Sequence, residues 1–133
     1  MDITEINEKT NFNTWEDEKI NELKKGIFVN TLGNFLFEND SIRLWDLSLL
    51  PKERIPFGRR KSNYSLTCMT NGLAISRKSN GEIDLIRLKK GDTPIWLYEE
   101  NEIICDFENI GETLLKFIVI EHKPAAFGIK SNL

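Results

Sequence analysis

A chain of 133 residues is one domain, long enough to bury roughly two-thirds of the surface its unfolded form exposes. Folding on that scale needs neither disulfides nor a metal. Eighteen basic and 21 acidic side chains give a net charge of −3, and the two signs are mixed, which removes global electrostatic support for binding nucleic acid.

Further classes fall away on inspection. The two cysteines, Cys68 and Cys105, are too few for a disulfide scaffold and suit a reducing cytoplasm. Residues 1–5 are too polar to open a signal peptide. No apolar run approaches the ~20 residues that span a bilayer, so no membrane role is expected.

Residues 1–13 are polar with a few apolar positions, Ile3, Ile6 and Phe12, and read as an arm or a first strand. Thr14 is a candidate N-cap, with acids in the first turn. Lys24, Lys25 and Gly26 form a natural stop, which predicts a short helix over about 15–25. Ile27-Phe28-Val29 and Asn34-Phe35-Leu36-Phe37 are short β-prone runs. From Ser41 to Leu50 the apolar residues after Arg43 recur on one parity, Trp45, Leu47 and Leu49, which predicts a strand with that set facing a core. Pro51 ends it.

Ile55 to Lys61 reads as a basic loop, and Ser65–Thr70 as the next strand. Asn80-Gly81 is the strongest hairpin signal, since both residues accept positive φ, and it joins strands over 73–77 and 82–88. Strands at 95–98, 103–107 and 114–121 follow, the last two expected to pair across Glu108–Gly111. Eight to ten short strands with regular turns predict an all-β sandwich or barrel with one N-terminal helix. The organisation expected is an arm, helix and first strands over 1–39, a barrel core over 40–123 and a tail over 124–133.

The middle of the chain resembles a cupin, a small jelly-roll β-barrel. The family's first motif is G-x5-H-x-H-x3,4-E-x6-G. Pro51 and Glu53 match the proline-glycine-glutamate turn that precedes it, with Lys52 in place of the glycine. The histidine positions fall on Gly58 and Arg60, and the glutamate on Ser65 or Tyr64. In the second motif, Gly91-Asp92 fits the start, Asn109-Ile110-Gly111 the end, and Cys105 the histidine. Glu112 to Glu121 resembles the closing strand.

The resemblance implies the jelly roll. It does not carry the metal chemistry, because three imidazoles and a carboxylate are replaced by residues that ligate poorly or repel a cation. The expectation is therefore no metal and no cofactor. A pocket with new polarity is the reading that follows. Arg60 would anchor a small anionic ligand bidentately, Tyr64 would hydrogen-bond it, and Cys105 would sit opposite with a lowered pKa. Each has a plainer reading: Arg59-Arg60-Lys61 as a solvated loop, Cys105 as a small buried hydrophobe, Tyr64 as packing. His122 reads as a surface residue at a strand end. An acid–base enzyme using Tyr64, Cys105, Asp106 or Glu108 is the rival, and an interaction module with a filled interior is a third. A homodimer is expected, through an apolar sheet face or the N-terminal arm.

Overall fold

A computed structural model describes residues 1–26, 28, 32–59, 62–97 and 104–123. In chain order these contain β1 (Asp2–Asn7), α1 (Asp17–Lys25), β2 (Asn34–Glu38), β3 (Ile42–Leu49), β4 (Arg54–Gly58), β5 (Asn63–Cys68), β6 (Gly72–Arg77), β7 (Ile83–Leu88), β8 (Ile95–Trp96), β9 (Cys105–Asn109) and β10 (Leu115–His122). They form two five-stranded antiparallel sheets. Sheet I runs β1-β7-β6-β9-β4 and sheet II runs β2-β3-β10-β5-β8. The fold is a jelly roll whose two sheets pack face to face. The strand ladders do not close into one continuous barrel, because each described sheet keeps its own two edges. No described helix is long and apolar enough to cross a membrane.

The period-2 pattern places the core as expected. Leu47 and Leu49 of β3 meet Leu66 and Cys68 of β5, and Leu115, Phe117 and Val119 of β10, on the inner face of sheet II. Ile55, Ala74, Ile86, Leu88 and Phe107 line sheet I opposite them. Phe107 bridges the two layers, with its ring 5.7 Å from Phe117 and 6.1 Å from Trp96. Burial pushes the Cys68 thiol up to about 11, which leaves it an inert core residue.

Four sequence expectations change. Residues 55–58, read as part of a basic loop, belong to β4, which pairs with β9. Asn80 keeps a negative φ and only Gly81 turns positive, at 98°. Gly81 N–H donates to Lys78 O and Lys78 N–H to Glu82 O, so the β6–β7 hairpin is a turn with a glycine bulge. The N-cap is Glu16, without a side-chain cap, while Thr14 Oγ1 donates to Asn7 Oδ1 at 2.6 Å. Finally, β9 and β10 do not pair. The chain crosses from sheet I to sheet II between them, and the fully buried Asn109 ties the corner, its Nδ2 donating to Leu49 O and Thr113 O at 2.9 Å each.

The β3–β4 turn is another of the places where the chain changes sheet. Lys52 stands at φ +75°, where the family turn has glycine, and Glu53 Oε1 accepts the Leu50 N–H at 2.7 Å.

Candidate functional site

The space between the sheets changes character along its length. At one end Leu49 and Leu115 pair on sheet II. Gly72 of sheet I lies directly under the Leu115 side chain, beside its partner Leu88. Asn109 is fully buried at this end. At the other end sheet II presents one row across its strands: Glu38, Arg43, Glu121, Tyr64 and Trp96 are successive cross-strand partners. Alternation with the core residues Val119 and Leu66 turns Glu121 and Tyr64 inward. Both are buried.

Glu121 was not singled out in the sequence, where it reads as the polar end of a closing strand. Its Oε1 accepts Trp45 Nε1 at 3.1 Å, and its Oε2 accepts Arg43 Nη1 at 3.1 Å and Ser62 Oγ at 3.2 Å. The charge is thus matched by Arg43, whose own pKa is raised chiefly by the Glu121 charge.

On sheet I the same end holds Cys105 and Lys78. Gly58 pairs with Cys105 in register, and Lys78 bridges Cys105 from the other side. Two of the three histidine positions of the resemblance, Gly58 and Cys105, therefore meet across adjacent strands. Lys78 Nζ binds Glu82 at 2.9 Å and Asp84 at 3.0 Å. Burial, reinforced by Glu82, raises the Asp84 pKa, while the hydrogen bond from Lys78 lowers that of Glu82.

Of the expected ligand-binding residues, Tyr64 is buried on the inner face and Cys105 is half-buried at the same end. Arg60 lies outside the described residues. Ser65, the other candidate for the glutamate position, is on the outer face, where its Oγ lies 2.8 Å from His122 Nε2.

The acid–base candidates Asp106 and Glu108 do not enter the interior, a correction to their reading as cavity carboxylates. Asp106 alternates with the inward Phe107. Its fully buried carboxylate accepts Arg54 Nε at 2.7 Å, Arg77 Nη1 at 2.8 Å and the Arg77 N–H at 2.6 Å. Glu108 pairs with Arg77 at 3.0 Å. These acids are occupied as structural counter-ions. Among the described residues, no three His, Cys, Asp or Glu cluster in a way that could hold a metal. The donors at the polar end do not fit one either: Gly58 has no ligand atom, and Glu121 is engaged by a guanidinium, an indole and a hydroxyl.

No family model matches the chain, and no curated protein matches its sequence. Solved structures do resemble it. A cupin domain from Bordetella pertussis superposes with a TM-score of 0.62 at 16% identity, over 74% of this chain and 98% of that one. An RmlC-like cupin family protein with a double-stranded β-helix fold from Methanocaldococcus jannaschii gives 0.55 at 17%, over 67% and 76%. The Cnp3 cupin domain of Schizosaccharomyces pombe gives 0.54 at 16%, over 71% and 61%. At these identities the likeness is one of fold.

Proposed function

We propose that this chain, a protein of the cupin fold, binds a small anionic organic molecule at the polar end of the space between its sheets, without a metal, and works as a homodimer in the cytoplasm. The observation that supports the reading is the gradient inside the molecule. One end is sealed by leucines, whereas the other gathers Tyr64, Cys105, Lys78, Arg43 and Glu121. Arg60, two residues beyond Gly58, is the anchor, and Tyr64 donates a hydrogen bond to a ligand oxygen. Cys105 lines the opposite wall.

Calorimetry against a panel of small carboxylates and phosphate esters tests this. Arg60→Ala is expected to weaken the best ligand by about 2–5 kcal/mol, the loss on truncating one side of a buried charge pair. An unchanged affinity removes Arg60 as the anchor, and no binding across the panel removes the ligand class. A second reading has its own observation. Phe107, Phe117 and Leu66 fill the middle of the interior, as an interaction module requires. A chain that binds no small molecule and still associates with itself meets that reading.

A further inference from the structure

We infer that Lys78 contacts the ligand, and that it reads an uncharged oxygen, a hydroxyl or a carbonyl, carried on the same small acid. The inference rests on the ligand site proposed above and narrows the class of acid that site takes. The ladder fixes where Lys78 faces. It bridges Cys105, which alternates along β9 with the core residue Phe107. Its partner Asp84 alternates along β7 with the core residues Ile86 and Leu88. Cross-strand partners share a face, and so do residues two apart, which puts the lysine and Asp84 on the inner wall of sheet I. The Lys78 side chain is 30% exposed, against 11% for Glu82 and 8% for Asp84. The cation is thus the open member of the group.

One N–H is left over. An ammonium carries three donors and no acceptor. Glu82 Oε2 takes one at 2.9 Å and Asp84 Oδ2 another at 3.0 Å. Among the described residues nothing else accepts from Lys78 Nζ. Both acids belong to the β7 side of the hairpin, so the tetrahedral ammonium turns its third N–H away from them. Burial pulls the Lys78 pKa down, but the hydrogen bonds to Glu82 and Asp84 outweigh it and hold it above the ordinary lysine value. The group is a fixed donor and not an amine nucleophile.

Charge decides what that N–H meets. Two carboxylates already answer one ammonium, and the exposed Lys9 acts on Glu82 only through space. Glu121 does not alter the sum, since Arg43 matches it. A second anionic group set against Lys78 meets the repulsion of Glu82 and Asp84. A hydroxyl or carbonyl oxygen accepts the same charge-assisted bond without that cost. The ligand implied is a hydroxy or oxo acid: one anionic group for the anchor proposed above, and one neutral oxygen for Lys78.

The test is NMR titration of the full chain at neutral pH with four acids of like size: propionate, lactate, pyruvate and malonate. Lactate or pyruvate is expected to bind roughly tenfold more tightly than propionate, the effect of one added bond to a charged group, and malonate no more tightly than propionate. Lys78→Gln is expected to remove that advantage and leave propionate unchanged. Asp84→Asn keeps the shape of the wall and takes one negative charge from it, so it is expected to tighten malonate by about tenfold. This second variant keeps the test valid if Lys78→Gln misfolds. No binding by any of the four acids overturns the anionic-ligand site and this inference together. Propionate that binds as tightly as lactate and pyruvate overturns the role of Lys78 alone. So does an advantage that survives in a folded Lys78→Gln, or malonate binding that Asp84→Asn leaves unmoved.

Discussion

The outer faces of the two sheets are finished in opposite ways. Sheet I, on the side of β4, β9 and β6, carries charge and is capped. Arg54 donates to Asp106 and, through Nη1 and Nη2, to Glu22 of α1 at 2.7 and 3.0 Å. Its guanidinium lies 5.0 Å from the centre of the Phe57 ring, which stacks on Trp15 at 6.0 Å. Trp15 in turn donates Nε1–H to Gly81 O at 3.0 Å. Sheet II presents isoleucine, leucine and phenylalanine in the corresponding outer positions, and the described helix lies elsewhere. Residue polarity alone would assign these faces the other way round, with the acids and arginines in solvent and the apolar residues inside. What a face touches decides its burial, and alternation along a strand does not carry that information.

The largest effect expected from disturbing this contrast is at Asp106. Its carboxylate is fully buried and serves two arginines. Asp106→Ala leaves Arg54 and Arg77 facing each other without their shared anion, and truncating one side of a buried ion pair costs about 3–5 kcal/mol. Urea unfolding should show that loss in the midpoint, together with faster hydrogen exchange in α1 than in sheet II. A loss below about 1 kcal/mol would mean that the network behaves as an exposed surface pair.

A smaller effect separates the two faces by pH. Burial pushes the Glu22 carboxyl up, but hydrogen bonds from Arg54 and from the Phe57 N–H outweigh it and hold the pKa below its usual value. A depressed folded pKa contributes stability that is present above the unfolded value and is lost as pH falls through the folded one. Acidification through and below the ordinary glutamate range should therefore loosen α1 before sheet II. Exchange of the 17–25 amides between pH 6 and pH 3 measures it. Glu22→Gln is expected to flatten that dependence, and an unaltered profile would clear Glu22 of the role.

The smallest effect lies at the β3–β4 crossing between the sheets. Lys52 occupies the left-handed region at φ +75°, which costs a residue with a Cβ roughly 1–2 kcal/mol. Lys52→Gly offsets that with glycine's greater unfolded-state entropy, for an expected gain of about 1 kcal/mol by thermal or urea unfolding. A loss of stability would mean that the lysine side chain contributes more than its backbone conformation costs.

Parts of the candidate site were readable one residue at a time, and their assembly was not. The order of strands and turns pointed to the jelly roll, and aligning Gly58 and Cys105 with the family's histidines anticipated two positions that pair in register. Glu121 was hidden because its burial depends on Arg43, Trp45 and Ser62, which lie 59 to 78 residues away in the chain. Asp106 and Glu108 looked like candidate acids because nothing in their neighbourhood marks the outer face. The β9–β10 hairpin failed for a related reason. Two strand-like runs joined by a short turn read the same whether they pair or pass between layers, and it is Asn109, bonding to Leu49 and Thr113, that fastens the chain at the corner.

By itself the sequence determined the class of the fold, the inward parity of β3 and the stop of α1 at Gly26. Each follows from residue type and spacing over a few positions, where backbone sterics and alternation act directly. Only the tertiary structure decided which strands share a sheet, that Tyr64 rather than Ser65 turns inward, and that the acids of β9 are counter-ions. The bare face of sheet II belongs with these. They depend on which distant segments meet, and side-chain contacts and desolvation, which local pattern does not encode, set that outcome.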